Sequence, residues 1–166
     1  NPEALAFGHE VAMDGLNIPA VPWEMQRHLD GFGASLFHRF NRFYPDARYS
    51  ETVLYPLLRG VAEFWRCMAQ RNDQSGEFLL PKLTSVTEDL IETNPIDAVL
   101  AAKWCLLTAE REAVVLGKDN DLHLKWHELA GKLCVPQNKE RYLEYSGDQE
   151  KRSGGGYQGV RGFVYL

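Results

Sequence analysis

The chain lacks long hydrophobic runs and lacks any surplus of positive charge. Its apolar runs are only a few residues long, whereas a membrane-spanning helix needs about 20. Its 18 Lys and Arg residues are scattered among 23 Asp and Glu residues, for a net charge of -5. Nucleic acid and anionic lipid are bound by clustered basic residues. We therefore predict a water-soluble protein with neither nucleic-acid nor membrane partners.

Cysteine is also scarce, with only Cys67, Cys105 and Cys134 present. An odd, sparse set does not suit a disulfide framework, and the apolar neighbours of each residue predict buried thiols. The chain has no Asn-x-Ser/Thr sequon, and nothing in it indicates the cellular compartment. Because it begins with Asn1 instead of Met and ends on the apolar run Phe163–Leu166, we expect it to be part of a longer protein.

Several motifs that would specify a chemistry are missing. There is no HExxH, CxxC, P-loop, dinucleotide fingerprint or Gly-x-Ser-x-Gly elbow. His123 and His127 have the i, i+4 spacing of two ligands on one helix face, but no third ligand accompanies them. We interpret this pair as solvated or core-edge histidines and predict no metal site.

The residues that are present predict an all-α fold. With 166 residues, 45% of them hydrophobic, the chain has enough material for one core. Apolar spacings of three and four predict four long helices, at Glu24–Tyr44, Ser50–Gln70, Asn94–Leu116 and Asp121–Leu133. A fifth is expected near His9–Asp14. A long loop at 71–93 would separate the second and third helices and contain a short extended piece at residues 76–81.

Two of these helices have residues at their ends that are typical of helix starts or stops. Ser50 is the expected N-cap of the second helix, with Pro56 in its first turn. Asn94 is expected to cap the third, with Pro95 at its first position and Gly117 closing it. The inward face of the first helix is predicted from its apolar residues, which are Met25, Leu29, Phe32, Leu36, Phe37, Phe40, Phe43 and Tyr44.

The segment Ala12–Glu24 places Trp23 and Glu24 side by side after a Gly/Pro-rich loop, at the start of a helix. Sugar sites use such a pair, because an aromatic face stacks on a pyranose ring while a carboxylate accepts hydrogen bonds from vicinal hydroxyls. The alternative is structural: Trp23 would be a hydrophobic staple, and Glu24 would complement the helix dipole.

The segment Leu83–Asp97 contains four carboxylates, at Glu88, Asp89, Glu92 and Asp97. Glycosidic cleavage needs a general acid, and a carboxyl group in an enclosed, partly apolar loop has the raised pKa that this role requires. The alternative is that these acids merely complement the dipole of the helix that follows.

Taken in order, Ala12–Glu24, Leu54–Trp65 and Thr87–Trp104 resemble the trehalase and maltose/kojibiose phosphorylase family, whose members are (α/α)6 toroids of six helical hairpins. The middle segment is similar also to the toroid of fucosidase-type enzymes. The resemblance implies that Trp23, Glu24 and Asn94 bind sugar and that Glu88 is the general acid. No metal or cofactor is needed for that chemistry.

The chain departs from the family at two points. Where the family has Gly-Pro-Asp-Glu-aromatic, this sequence has Ser85-Val-Thr-Glu-Asp89, without the rigid turn or the aromatic ring. Six hairpins require twelve helices, so residues 1–166 would form at most about half of a toroid. The isolated chain is therefore expected to be inactive, and to bury its open flanks on the rest of its parent or by self-association, with Phe163–Leu166 in the seam.

The function implied by the resemblance belongs to the parent protein. It would cleave an α-glucosidic bond with inversion, by hydrolysis or phosphorolysis, and its ligand would be a small saccharide. The alternative is a non-catalytic helical binding or interaction module.

Overall fold

The computed structural model describes residues 1–8, 13, 25–86, 91–139 and 141–147, and most of these residues are helical. The helices are α1 (His28–Phe43), α2 (Ala47–Tyr49), α3 (Tyr55–Met68), α4 (Ile96–Leu116) and α5 (Leu122–Lys132), with a π-helical segment at Ser50–Leu54. The mainly helical class and the four long helices are confirmed. The helix expected near His9–Asp14 and the seam at Phe163–Leu166 lie outside the described residues.

Helix α4 is the centre of the core, because it buries residues on several of its sides. Many of these are alanines, including Ala98, Ala101, Ala102 and Ala109, each fully buried. Small side chains let neighbouring helices approach closely. None of the helices in the described ranges is long and apolar enough to cross a membrane.

The ends of α4 agree only partly with the sequence prediction. Gly117 closes the helix in the left-handed region, at φ 64°, as predicted. At the other end Asn94 is not the cap: Pro95 precedes the first helical residue, Ile96, and Asn94 has a φ of 54°. Asn tolerates this conformation better than most residues, so Asn94 forms a turn before the helix.

Helices α1 and α3 form an antiparallel hairpin. The Arg27 guanidinium, at the start of α1, lies 5.6 Å from the ring centroid of Phe64 late in α3. Near the end of α1, Asn41 Nδ2 donates to Ser50 Oγ at 2.7 Å, just before α3. The two helices therefore run in opposite directions.

The same reasoning gives the directions of α4 and α5. Lys103 of α4 contacts Ala130 of α5, and Glu110, later in α4, contacts His127, earlier in α5. These two helices are therefore also antiparallel. His28, early in α1, contacts Asp97, early in α4, and His38, later in α1, contacts Trp104, later in α4. Helices α1 and α4 therefore run in the same direction. Two antiparallel hairpins thus lie side by side, with α1 and α4 pointing the same way.

The second predicted helix begins earlier than expected. Asp46, not Ser50, is its N-cap, with a side chain that accepts from Arg48 N and Tyr49 N at 2.7 and 3.0 Å. Helical structure then continues to Met68 and includes Pro56, which has no N–H to donate. The π-helical segment immediately before it, where Tyr55 N donates to Ser50 O, is the kind of local widening that accommodates such a break.

The predicted loop at 71–93 is not structureless. It contains two antiparallel strand pairs, one of β1 (Gln70–Arg71) with β2 (Phe78–Leu79), the other of β3 (Lys82–Thr84) with β4 (Ile91–Thr93). The extended piece expected at residues 76–81 is confirmed as β2. A chain of this length in a compact protein needs partners for its backbone groups, and the ladders supply them.

Two burial predictions were wrong. On α1 the buried face consists mainly of small and polar residues, whereas Leu36, Phe40 and Phe43 are exposed. Among the cysteines, Cys105 is buried as expected, but Cys67 is exposed. Helical periodicity shows that a face is apolar without showing what covers it.

Candidate functional site

Three of the four predicted site residues, Trp23, Glu24 and Glu88, lie outside the described residues. Their neighbours in sequence are described. Gln26 follows Glu24 by two positions, and Val86 precedes Glu88 by two. The positions of Gln26 and Val86 therefore show whether the two segments that flank the predicted sugar site lie close together.

These flanking residues come together at the N-terminal ends of α1 and α4. Gln26 Nε2 donates to the Ser85 carbonyl at 3.4 Å, and both residues are buried. Two residues after Gln26, His28 Nδ1 of α1 lies 3.2 Å from Asp97 Oδ2 of α4. The two segments that carry the predicted sugar residues thus meet in their described parts.

Asp97 is the polar centre of this junction. It lies in the first turn of α4 and is buried, and its Oδ2 also accepts from Val86 N at 2.8 Å. Its Oδ1 is buried too and has no hydrogen-bond partner among the described residues. The positive end of the α4 dipole favours a carboxylate here. One buried acid therefore connects α1, α4 and the segment that leads to Glu88.

Asn94, the predicted site residue that is described, has its amide occupied by protein groups. The side chain is fully buried; Oδ1 accepts from Leu80 N, and Nδ2 donates to Ser146 Oγ at 3.0 Å. These bonds tie the turn before α4 to the β2–β3 connection and to the chain near residue 146. We assign Asn94 this structural role and leave it out of the proposed sugar contacts.

A buried acid that the sequence analysis did not single out is Asp30 of α1. It is fully buried, its Oδ1 accepts from Phe7 N at 2.6 Å, and its Oδ2 has no partner among the described residues. Burial raises the pKa of Asp30 to about 7, against the lowering effects of the Phe7 hydrogen bond, Arg27 and His28. In sequence it resembles an ordinary first-turn acid, so nothing signalled its burial.

The histidine pair on α5 does not build a metal centre in the described part of the chain. His127 is exposed, with Nδ1 3.0 Å from Glu110 Oε1. His123 Nδ1 is buried and has no partner there. Among the residues that the structure describes, no group of three or more His, Cys, Asp or Glu side chains could hold a metal ion.

Comparisons with known proteins do not assign this chain to a family. Neither a protein-family model nor a curated protein matches the chain. The likeness to the trehalase and phosphorylase family consequently rests on the three sequence segments described above.

Proposed function

We propose that this chain is part of an (α/α)6 toroid whose parent protein cleaves an α-glucosidic bond with inversion, by hydrolysis or phosphorolysis. Glu88 is the general acid in this proposal. Trp23 stacks on the sugar at the non-reducing end, and Glu24 accepts hydrogen bonds from its hydroxyls. The saccharide is the only ligand that the chemistry requires, besides water or phosphate as the acceptor.

The observation that carries the proposal is the junction at the N-terminal ends of α1 and α4. The proposal requires the segment ending at Glu24 and the segment containing Glu88 to share a site, although more than 60 residues separate them. Their described flanks are in contact through Gln26 with Ser85, and through Asp97 with Val86 and His28. This arrangement supports a shared site.

The arrangement of the helices supports the toroid. A toroid is built from antiparallel helical hairpins placed side by side, so that equivalent helices of neighbouring hairpins run in the same direction. The α1/α3 and α4/α5 pairs are antiparallel, while α1 and α4 are parallel. Exposed apolar residues on α1, such as Leu36 and Phe43, are the kind of surface that a further hairpin would cover.

The chemistry follows from an acid placed opposite an open acceptor position. Glu88 would donate its proton to the glycosidic oxygen as the C–O bond breaks, and water or phosphate would attack the anomeric carbon from the opposite face. That geometry inverts the anomeric configuration. The second carboxylate or phosphate site is expected from the parent outside these 166 residues.

The experiment that tests the proposal uses the full-length gene product with trehalose, kojibiose and maltose, each with and without inorganic phosphate. Glu88→Gln should lower kcat by about 100-fold or more, because general-acid catalysis contributes about 10²- to 10⁴-fold. Asp89→Asn, a similar change one residue away, is the matched control and should retain activity. Unchanged turnover of Glu88→Gln on all three sugars would overturn the assignment.

A second candidate is a non-catalytic helical interaction module, and the exposed apolar face of α1 favours it. Phe32, Leu36, Phe40, Phe43 and Tyr44 are all at least 36% exposed. Large apolar surfaces on soluble proteins usually mark interfaces. Under this candidate, Leu36→Lys should weaken self-association in sedimentation, whereas Leu124→Lys should not. Leu124 is a close match, at 61% exposed against 66%, but lies on α5. A glycan array without binding would favour this candidate further.

A further inference from the structure

Residues 1–8, here called the strap, begin with a turn in which Ala4 N donates to Asn1 O, and then lie across α3 and α1. Leu5 N donates to the Gly60 carbonyl of α3 at 2.8 Å. Two residues later, Phe7 N donates to Asp30 Oδ1 of α1 at 2.6 Å. Three further contacts hold the strap: Arg27 Nη1 donates to Phe7 O at 3.4 Å, Asn1 Nδ2 donates to Glu63 Oε2 at 3.1 Å, and Glu3 pairs with Arg59.

Two helix glycines form the floor under the strap. A Cβ atom at Gly60 would lie 2.8 Å from Leu5 Cβ, and one at Gly33 would lie 2.8 Å from the Phe7 ring. Glycine inside a helix lowers helix stability relative to alanine. The close approach of the strap gives both glycines a physical role, and the groove fits this segment closely.

Asp30, which binds the strap, is itself only partly hydrogen-bonded. It is fully buried, one of its oxygens has no partner among the described residues, and a buried carboxylate without full hydrogen bonding is unfavourable. Arg27 and His28 on its own helix interact with it, and so does the Cys105 thiol of α4. Burial raises the pKa of Cys105 as well, so this thiol stays neutral and adds no second negative charge beside Asp30.

We propose that the strap is a pH-sensitive latch: Asp30 holds it closed while the carboxyl group is protonated, and the strap leaves the groove when Asp30 loses its proton. Opening admits water to Asp30, which solvates the carboxylate. The proposal does not depend on the sugar chemistry.

Linkage sets the direction and the range of the effect. In the closed state the pKa of Asp30 is about 7, and in water an aspartate has its ordinary value of 3.8. Opening is therefore coupled to proton release, and the equilibrium shifts toward the open state by up to about tenfold per pH unit between these two values. Above pH 7 the shift levels off. The strap's own acid, Glu3, pairs with Arg59 of α3 at 3.0 Å.

Amide hydrogen exchange on the 166-residue chain measures the latch directly. Protection factors of the Leu5 and Phe7 amides, corrected for intrinsic exchange, should fall by about tenfold or more from pH 5 to pH 7. The Leu106 amide, in the middle of α4, reports global unfolding, which releases the same Asp30 proton, so the strap amides should be less protected than Leu106 at every pH because the strap opens without global unfolding. In Asp30→Asn, which keeps the acceptor for Phe7 N but carries no charge, the protection of the strap should not depend on pH.

Glycine substitutions provide a second, independent test. Gly60→Ala should lower strap protection at every pH, because its methyl group meets Leu5. Gly131→Ala is the matched control, since a Cβ atom there meets nothing within 4 Å. The latch is refuted by strap protection that does not change with pH in the wild-type chain. It is equally refuted by a change that Asp30→Asn retains, or by strap amides as strongly protected as Leu106, which would show that the strap opens only with global unfolding.

Discussion

Glu63 of α3 and Asp30 of α1 are both buried carboxyl groups, but their surroundings are opposite. Glu63 is 2% exposed and accepts hydrogen bonds on both oxygens, from Arg66 and Trp126 at 2.8–2.9 Å and from Asn1 at 3.1 Å. Asp30 accepts one backbone N–H at 2.6 Å and leaves its second oxygen without a partner among the described residues. One acid is satisfied, and the other is not.

This difference decides which protonation state each group favours. Burial alone raises the pKa of Glu63, but the hydrogen bonds from Arg66 and Trp126 outweigh it and hold the pKa below its usual 4.5. For Asp30 burial prevails, and the pKa rises to about 7. The folded state therefore favours the charged form of Glu63 and the neutral form of Asp30. Glu63 therefore remains charged and stabilises the fold through its hydrogen bonds, here called a structural tie, whereas Asp30 changes its protonation state near neutral pH.

The largest effect is expected from breaking the satisfied acid. Glu63→Ala leaves the buried Trp126 N–H and the Arg66 guanidinium without their acceptor, and should lower the free energy of unfolding by about 3–5 kcal/mol. Glu128→Gln is the control, because the ion pair of Glu128 with Lys132 lies on the surface and should contribute little. Urea unfolding followed by tryptophan fluorescence measures both. A loss no greater than that of the control would show that the network is not a structural tie.

The next effect concerns the unsatisfied acid and its pH dependence. A folded pKa above the unfolded value means that stability is complete below about pH 4 and is lost as pH rises toward 7. Relative to Asp30→Asn, the wild-type free energy of unfolding should fall by about 2–4 kcal/mol over that range. Urea midpoints at pH 4, 5, 6 and 7 give the comparison. Parallel curves for the two proteins would place the ionisation of Asp30 outside this range.

Asp97 is intermediate, because like Asp30 it has one oxygen without a partner in the described part of the chain, but its paired oxygen contacts two groups, Val86 N and His28 Nδ1. Asp97→Ala removes the acceptor of Val86 N and should lower the free energy of unfolding by about 1.5–3 kcal/mol. Asp97→Asn keeps that acceptor and should cost less. The amide of Val86 should lose its exchange protection in the alanine variant while α5 amides keep theirs. Retained protection at Val86 would mean that Asp97 does not hold this segment.

The helices were predictable because their signals are local. Periodicity, together with Gly117 and the turn residues around 119–121, defines α4 and α5 to within one or two residues. The second predicted helix starts at α2 and not at Ser50, because Asp46 and Ser50 are both good caps and only the hydrogen bonds of Asp46 with the backbone distinguish them. The strand pairs at 70–93 were missed because strands of two or three residues carry too little alternation to be recognised.

The site was less predictable because burial depends on tertiary contacts. Asp30, Asp97 and Glu92 are all acids near helices or strands in sequence, and nothing local distinguishes the buried pair from the surface residue. Asn94 was chosen as a cap and sugar ligand from its position before Pro95, a pattern that equally suits the left-handed turn it adopts. The strap could not be predicted from the sequence, because Gly33 and Gly60 have a packing role only when residues 5 and 7 lie against them.

The most direct test of the proposed function is the anomeric configuration of the first product. The full-length protein would be given kojibiose or maltose with the non-reducing glucose ¹³C-labelled, and the labelled product followed by NMR before mutarotation; trehalose would be given unlabelled, because its cleavage by inversion also releases the second glucose as the α-anomer. Inversion by Glu88 chemistry predicts that the label appears first in β-glucose, or in β-glucose 1-phosphate when phosphate is the acceptor. A labelled α-anomer as the first product, or no cleavage of any of the three sugars, would contradict the proposal.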